Sequence, residues 1–199
     1  MILACQAALL VCASFADSSG VAVLAAPQWM QSDTMGWFGG RVRGGVALRF
    51  ERDVTSYVAV AVDLGVARGG DDGLLSLDVY DVRPAVRLSW PRLLLGNAVL
   101  AYGRAEAPLS LAIVRVRDAR SRTVVPGLAA SLGLRAQPRS RVGRRGHVYA
   151  FVEAGYAWHL TRRIRLARTD DHAIAGPSTR LGALDLSAAQ GRVGIGWGF

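Results

Sequence analysis

The chain has 199 residues, of which 51% are hydrophobic, and its formal net charge at pH 7 is +9. This length suits one domain, or two small ones. The apolar content excludes intrinsic disorder, and the longest apolar run, Ile2 to Phe15, is too short for a membrane-spanning helix. All basic residues are arginine, they are scattered, and no RNA-binding or helix–turn–helix pattern is present. The sequence therefore predicts no nucleic-acid partner.

The first 16 residues are typical of an export signal. The apolar segment is followed by the small-x-small pattern Ser14-Phe15-Ala16. We predict a signal peptide over residues 1–16, whose missing basic start leaves room for an earlier true start, and a mature domain over 17–199. Cys5 and Cys12 both lie in the signal, so the mature domain would carry no disulfide and no thiolate chemistry. A buried N-terminal helix is the alternative.

From Gly36 onward, apolar and polar residues alternate with a period of two, which predicts β-strands. The seven clear strands are Trp37–Glu51, Thr55–Ala67, Leu77–Trp90, Asn97–Ile113, Val124–Gln137, His147–Leu160 and a last strand ending at Phe199. A weaker eighth strand is predicted at Gly20–Gln28. No internal repeat interrupts the series, so we expect one all-β domain with eight antiparallel strands.

Three features favour a membrane barrel over a soluble one. One face of each strand is apolar for about ten residues, the length that a tilted strand needs to cross a bilayer. The other face mixes charged residues with Gly, Ala and Ser, which suits a narrow polar interior. Aromatic residues of the apolar face lie toward strand ends, as in interfacial girdles. They are Phe38, Phe50, Tyr80, Trp90, Trp158, Trp197 and Phe199.

The connections agree with this interpretation. If the chain ends on the periplasmic side, the periplasmic connections lie near Arg52-Asp53, Pro91-Gly96 and Pro138-Gly146. The external connections then lie near Met30-Gly36, Arg68-Ser76, Val114-Arg122 and Thr161-Leu184. The longest connection is external and the tightest is periplasmic, as is usual in bacterial outer-membrane barrels.

The last eight residues, Arg192 to Phe199, carry the most specific motif. They resemble the terminal strand of outer-membrane barrel proteins, with Arg192, Gly194, Trp197 and Phe199 at the positions of that pattern. The resemblance implies that the barrel assembly machinery reads this strand during biogenesis. As a whole, the mature chain resembles the small barrels of the OmpA/OmpX type, without a peptidoglycan-binding domain. That resemblance implies an eight-stranded antiparallel transmembrane β-barrel in the bacterial outer membrane.

The inward faces of the predicted strands carry many charges. An eight-stranded barrel has room only for side chains, and unpaired buried charges are costly, so we expect these groups to pair and plug the lumen. The predicted charge network is Arg41, Arg43, Arg49, Glu51, Asp63, Asp81, Arg83, Arg87, Arg104, Glu106, Arg135, Glu153 and Arg192. Its excess of arginine needs further acceptors, for which Ser89, Ser131, Gln137 and Tyr102 are candidates. A gated ion path is the alternative.

The sequence predicts a non-enzymatic protein with a structural or surface-interaction role, with no catalytic, metal or cofactor site. Its expected partners are outer-membrane lipid and lipopolysaccharide. Guanidinium groups bind phosphates in a bidentate geometry. The arginines expected at the level of the phosphorylated sugars of the outer leaflet are Arg115, Arg117, Arg162 and Arg163.

Two alternatives remain open. One is a lipid A-modifying enzyme on the same fold, whose candidate residues are His159, Thr161, Asp170, Asp171 and His172. The other is a soluble secreted β-barrel that binds a small apolar ligand.

Overall fold

The computed structural model describes residues 19–30, 42–71, 75–90, 99–116, 119–136, 146–168 and 179–199. The predicted signal peptide lies outside these ranges. The strand segments within them are β1 Ser19–Ala25, β2 Gln28–Met30, β3 Val42–Asp53, β4 Val58–Asp71, β5 Leu75–Ser89, β6 Val99–Glu106, β7 Leu109–Val116, β8 Ala119–Ala136, β9 His147–His159, β10 Arg162–Arg168, β11 Thr179–Leu184 and β12 Ala188–Gly198. In this part of the chain, no helix is long and apolar enough to span a membrane.

These segments form a closed antiparallel barrel of eight strands. The twelve segments make eight barrel strands, since four barrel strands consist of two segments each. These four are β1 with β2, β6 with β7, β9 with β10, and β11 with β12. Closure comes from β1, which pairs with β12 from Gly20↔Gly198 to Ala25↔Val193 and with β3 on its other side. The predicted eight-stranded antiparallel barrel is confirmed.

One predicted strand, Asn97–Ile113, is interrupted at Ala107-Pro108. Proline has no backbone N–H to donate to a neighbouring strand. Backbone bonds on both sides of the break hold the alignment, since Ala107 N donates to the Pro84 carbonyl at 3.0 Å and Gly127 N donates to the Pro108 carbonyl at 2.8 Å. The strand therefore continues as β7 with its inward and outward faces unchanged.

The predicted turn at Arg52-Asp53 is displaced along the chain. The strand β3 continues through Asp53, and the turn spans Val54 to Tyr57. The Thr55 hydroxyl accepts hydrogen bonds from the backbone N–H groups of Tyr57, at 3.2 Å, and Val58, at 3.0 Å. A threonine that bonds its own following backbone favours a turn over a strand.

The barrel has a near end, where Ser19 and Phe199 exchange backbone hydrogen bonds, and an opposite far end. At the far end the strands are longer than predicted. Strand β4 reaches Asp71 and β5 starts at Leu75, β7 and β8 extend into the predicted connection Val114-Arg122, and β10 and β11 occupy much of Thr161-Leu184.

This extension has a physical reason. The interior at the far end is filled by apolar side chains that alternation alone did not assign to a core. We call them the far apolar cluster: Met30, Leu77, Val79, Ala112, Val114, Val125, Ile164, Leu184, Leu186 and Ala188. Since burial of apolar surface stabilises ordered strands, the sheet continues where loops were predicted.

Elsewhere the alternation sets the faces as predicted. Outward side chains are apolar and exposed, and inward side chains are buried. The interior is less polar than predicted, because a second apolar group of Ala22, Leu24, Tyr149 and Phe151 also points inward.

Glycines of the closing strand make room for these inward rings. A Cβ added to Gly194 would lie 2.5 Å from Cζ of Phe151, and one added to Gly196 would collide with the ring of Tyr149. The rings of β9 therefore lie across the glycines of β12, and this close packing fills the narrow interior beside the seam.

We expect Gly196→Ala to lower the free energy of unfolding by about 1–3 kcal/mol, because the new methyl group displaces the Tyr149 ring. The measurement is urea unfolding of the refolded barrel, followed by the shift in gel mobility between unheated and heated samples. Gly44→Ala is the matched control, since a Cβ there meets nothing within 4 Å. Equal stability of the two variants would contradict the packing role.

Candidate functional site

The candidate site is the barrel interior, where inward positions of all the long strands bring charged side chains together. Of the thirteen predicted network residues, Arg41 lies outside the described residues and the other twelve are buried. They form three layers, which we call near, central and far according to their distance from the near end.

The central layer is organised around Arg49. Its guanidinium contacts Asp63, on the neighbouring strand, with Nε at 3.0 Å from Oδ1 and Nη2 at 3.1 Å from Oδ2. It also contacts Glu153, on β9, with Nη1 at 2.6 Å from Oε1 and Nη2 at 2.9 Å from Oε2. Arg49 therefore joins two buried carboxylates by paired, charge-assisted hydrogen bonds.

Two further arginines complete this layer. Arg192 donates to Glu106, with Nη2 at 2.7 Å from Oε2, and to Glu153, with Nη1 at 3.2 Å from Oε2. Arg104 lies 2.8 Å from Asp63 Oδ1 and 3.0 Å from Glu106 Oε1. The layer thus contains three arginines and three carboxylates, and each of its carboxylates has at least two arginine neighbours.

The near layer is also balanced. Glu51 accepts from Arg135 at 2.9 Å and lies 3.2 Å from Arg87 Nη2. Arg87 also donates to Asp53 at 2.8 Å and to the Ser89 hydroxyl at 3.1 Å. Two arginines therefore face two carboxylates.

The far layer lies between the central layer and the far apolar cluster. Here Arg83 pairs with Asp81 and donates to Oε1 of Gln190 at 2.9 Å. Arg43 donates to Gln28. Among the described residues, this layer has two arginines and one carboxylate.

Aromatic rings supply further partners for the arginines. The guanidinium carbon of Arg135 lies 3.6 Å from the centroid of Tyr149, and that of Arg49 lies 4.5 Å from the centroid of Phe151. Desolvated contacts of this kind are attractive because the ring face carries partial negative charge.

The sequence missed two members of the site, Gln28 and Gln190, which accept hydrogen bonds from arginines of the far layer. Both occupy inward positions, so the face pattern could have identified them. Two residues that were predicted to accept hydrogen bonds from arginines, Tyr102 and Ser131, do not do so within the described ranges. The Tyr102 hydroxyl donates to Glu153 at 2.8 Å, and the Ser131 hydroxyl has no hydrogen-bond partner among the described residues. Gln137 lies outside the described residues.

Of the candidate residues of the enzyme alternative, His159 and Thr161 lie in the described part of the chain. His159 points inward, with Nε2 at 3.3 Å from the buried Ser110 hydroxyl, whereas Thr161 is exposed. Asp170, Asp171 and His172 lie outside the described residues. Within the described ranges, no group of three His, Cys, Asp or Glu residues could hold a metal ion.

Arginines also cluster on the outer surface near the far end. Arg115 lies 3.3 Å from Asp78 Oδ2, and Arg68 approaches the same carboxylate at 3.7 Å. Arg122 is exposed on the neighbouring strand. Arg162 and Arg163 are exposed on β10, without a described contact to this cluster, and Arg117 lies outside the described residues.

The carboxyl-terminal motif lies at the closing seam. Trp197 and Phe199 point outward and are about half exposed, whereas Arg192 points into the central layer. Gly194 faces the Phe151 ring. The four motif positions therefore have different surroundings in the folded barrel.

Solved structures share this architecture. The crystal structure of Neisserial surface protein A (NspA) matches with a TM-score of 0.54 at 14% identity, covering 91% of this chain and 95% of that one. Ail, the attachment invasion locus protein of Yersinia pestis, matches with a TM-score of 0.52 at 15% identity, covering 92% and 98%. The N-terminal β-barrel domain of Pseudomonas aeruginosa OprF matches with a TM-score of 0.50 at 10% identity, covering 92% and 98%.

No protein-family model matches the sequence, and no curated protein matches it either. The structural likeness therefore rests on the barrel itself. The chain has the fold of the small eight-stranded barrels that occur in outer-membrane proteins.

We expect Glu153→Ala to lower the free energy of unfolding by about 3–5 kcal/mol, because it leaves the three buried arginines of the central layer with only two carboxylates. Urea unfolding of the refolded barrel measures this loss. The matched control is Asp53→Ala, which removes a half-exposed carboxylate bound to one arginine and should cost less than about 1 kcal/mol. Similar losses in the two variants would argue against a central role for Glu153.

Proposed function

We propose that this protein is a non-enzymatic outer-membrane barrel with a structural or surface-interaction role and a closed lumen. The main observation in its support is that charged side chains lie inside the barrel and apolar side chains lie outside, the reverse of a water-soluble protein. Buried inward positions hold paired charges, while outward positions hold Leu128 and Leu132, each 67% exposed, and Ile195, 65% exposed. A water-soluble barrel would be unstable toward association with such a continuous apolar exterior, whereas hydrocarbon solvates it.

Outward aromatic residues support the same location. Trp90 and Trp197 lie near one end of the barrel, and Trp29 and Trp158 lie toward the other; each is about half exposed. Aromatic rings at two levels match the two interfaces of a bilayer. In this orientation the near end faces the periplasm and the far end faces outward. Export by the signal peptide over residues 1–16 belongs to this proposal.

The location is tested by cell fractionation and by gel mobility. We expect the protein in the detergent-extracted outer-membrane fraction, with different mobility before and after heating. Recovery in the soluble periplasm without detergent would favour the soluble secreted barrel. Mass spectrometry of lipid A, with and without the gene, tests the lipid A-modifying alternative.

The interior charges support a closed lumen. Eight strands leave no aqueous channel once side chains are in place, and the three layers are capped at the far end by the far apolar cluster. We expect planar-bilayer recordings of the refolded protein to show no steady conductance. A stable channel of defined size would overturn the plug and favour the gated ion path.

We also propose that the terminal motif directs assembly, with the barrel assembly machinery as the partner. An extended strand with one apolar face can add to an open sheet edge, and the outward faces of Trp197 and Phe199 remain available on such a strand. We expect the double substitution Trp197→Gln and Phe199→Gln to leave the chain in the periplasm, where proteolysis removes it. Val193→Thr, on the same face, is the control. Normal membrane insertion of the double variant would contradict the motif's role.

The outward arginines support lipopolysaccharide as a further partner. Arg68 and Arg115 share one carboxylate, Asp78, so among the described residues two positive charges face one negative charge. Guanidinium groups at the outer-leaflet level bind phosphate in a bidentate geometry. Arg162 and Arg163 are further exposed arginines on β10.

We expect the double substitution Arg68→Gln and Arg115→Gln to reduce lipopolysaccharide co-purification several-fold, since each lost charged hydrogen bond costs roughly 1.5–3 kcal/mol. The phosphate content of the purified barrel gives the measurement. The control is Arg52→Gln at the near end, which should retain lipid at the wild-type level. Unchanged lipid content in the double variant would count against lipopolysaccharide as the ligand.

A further inference from the structure

The outward face of the barrel carries a groove of about 590 Å³ whose lining is almost entirely apolar. It crosses β6, β8 and β9, and the backbone of these strands forms its floor, since the inward residues between the outward ones also border it. A mostly apolar depression of this size is typical of sites that take small molecules. The outward residues that line the groove are Trp90, Ala101, Leu132, Leu134, Val152 and Ala154.

Small outward residues on two strands create the groove. On β6, Ala101 and Gly103 are small, and a Cβ added to Gly103 would lie 3.8 Å from Leu132 and 3.9 Å from Trp90. On β9, Ala154 is paired in register with Leu132, whose side chain is 67% exposed. Large side chains therefore stand beside small ones, and the depression between them is built into the outer wall.

The position of the groove along the barrel axis indicates which group fills it. Ala101 is paired with Leu134, two residues from the pair Val99↔Ala136 at the near end of the described strands. Trp90, which is about half exposed, lies at the same end and marks the near interface. This inference rests on the proposed outer-membrane location, in which the groove opens into the hydrocarbon just inside that interface. An acyl chain is the flexible apolar group available at this depth.

The charge at the near end favours one class of headgroup. The stretch between β5 and β6, residues 91–98, and the stretch between β8 and β9, residues 137–145, together contain five arginines and no acidic residue. Both stretches lie outside the described residues and are not part of the groove, but they join strands that border it. Basic residues close to a membrane interface attract anionic headgroups. The five arginines are Arg92, Arg139, Arg141, Arg144 and Arg145.

We propose that the groove holds one acyl chain of an anionic phospholipid of the periplasmic leaflet. The acyl chain lies against Ala101, between Trp90 and Leu132, and its phosphate group lies toward the near end. Such a lipid is held at a fixed place on the barrel, whereas the lipids around the rest of the wall exchange freely. It is distinct from the lipopolysaccharide proposed at the far end.

Native mass spectrometry of the refolded protein measures this binding. The protein is refolded in a non-ionic detergent that contains equal amounts of phosphatidylglycerol and phosphatidylethanolamine with the same acyl chains. Gel mobility before and after heating shows that the barrel is folded. We expect one phosphatidylglycerol to remain on the wild-type chain after the detergent is removed, several-fold more often than phosphatidylethanolamine.

Ala101→Phe places a ring in the groove and should reduce the retained phosphatidylglycerol several-fold. The matched control is Ala105→Phe, which should retain the lipid at the wild-type level, because Ala105 is an exposed outward residue of the same strand and does not line the groove. Both rings are added to the lipid-facing surface, so the packed interior is unchanged. If Ala101→Phe does not fold, Ala154→Leu fills the groove from β9 and should give the same loss.

Equal retention of the two phospholipids would overturn the proposal, and so would equal phosphatidylglycerol on Ala101→Phe and Ala105→Phe. A lipid-free wild-type dimer that Ala101→Phe dissociates would also overturn it and assign the groove to a second copy of this chain. A barrel that folds in detergent but retains no phospholipid contradicts this inference alone. The outer-membrane location fails by a different result, recovery of the protein in the soluble periplasm.

Discussion

The barrel depends on charge pairing among buried side chains across its narrow interior. Arg49 binds carboxylates of β4 and β9, residues separated by 104 positions in one case, so a single guanidinium ties distant strands together. In a narrow interior, removing one partner leaves an excess of one buried charge, which is costly. The network therefore ties together strands that face each other across the closed barrel.

The same narrow cross-section explains where inward side chains are large and where glycines stand opposite them. Tyr149 and Phe151 project inward from β9, and their rings lie over Gly196 and Gly194 of the closing strand. Tyr102 likewise lies over Gly133, where a Cβ would come 2.5 Å from the ring. A large ring on one strand faces a glycine on the neighbouring strand, because two large side chains at one level would exceed the interior width. The glycines of the terminal motif thus have a packing role in the folded protein.

Along its axis the barrel changes character. Charged layers occupy the near and central parts, while the far apolar cluster fills the other end. This cluster supports strands that continue past the predicted connections, and the extended wall places Arg68 and Arg115 on one carboxylate outside. The interior packing and the outer basic surface are therefore linked, since the strands that the apolar residues order also carry the arginines.

The sequence by itself determined the eight strands, their antiparallel order and the face of each residue, because a period of two assigns every side chain to one side of the sheet. The inward arginines and acids were predictable for that reason. Their partners were not, since Arg49 meets Glu153 only when the sheet has curved and closed. The turn at Val54–Tyr57 depended on a local threonine hydrogen bond, and the far apolar cluster depended on apolar side chains from six barrel strands meeting. Alternation specifies a direction, whereas contact across a closed barrel needs the register and curvature that tertiary structure supplies.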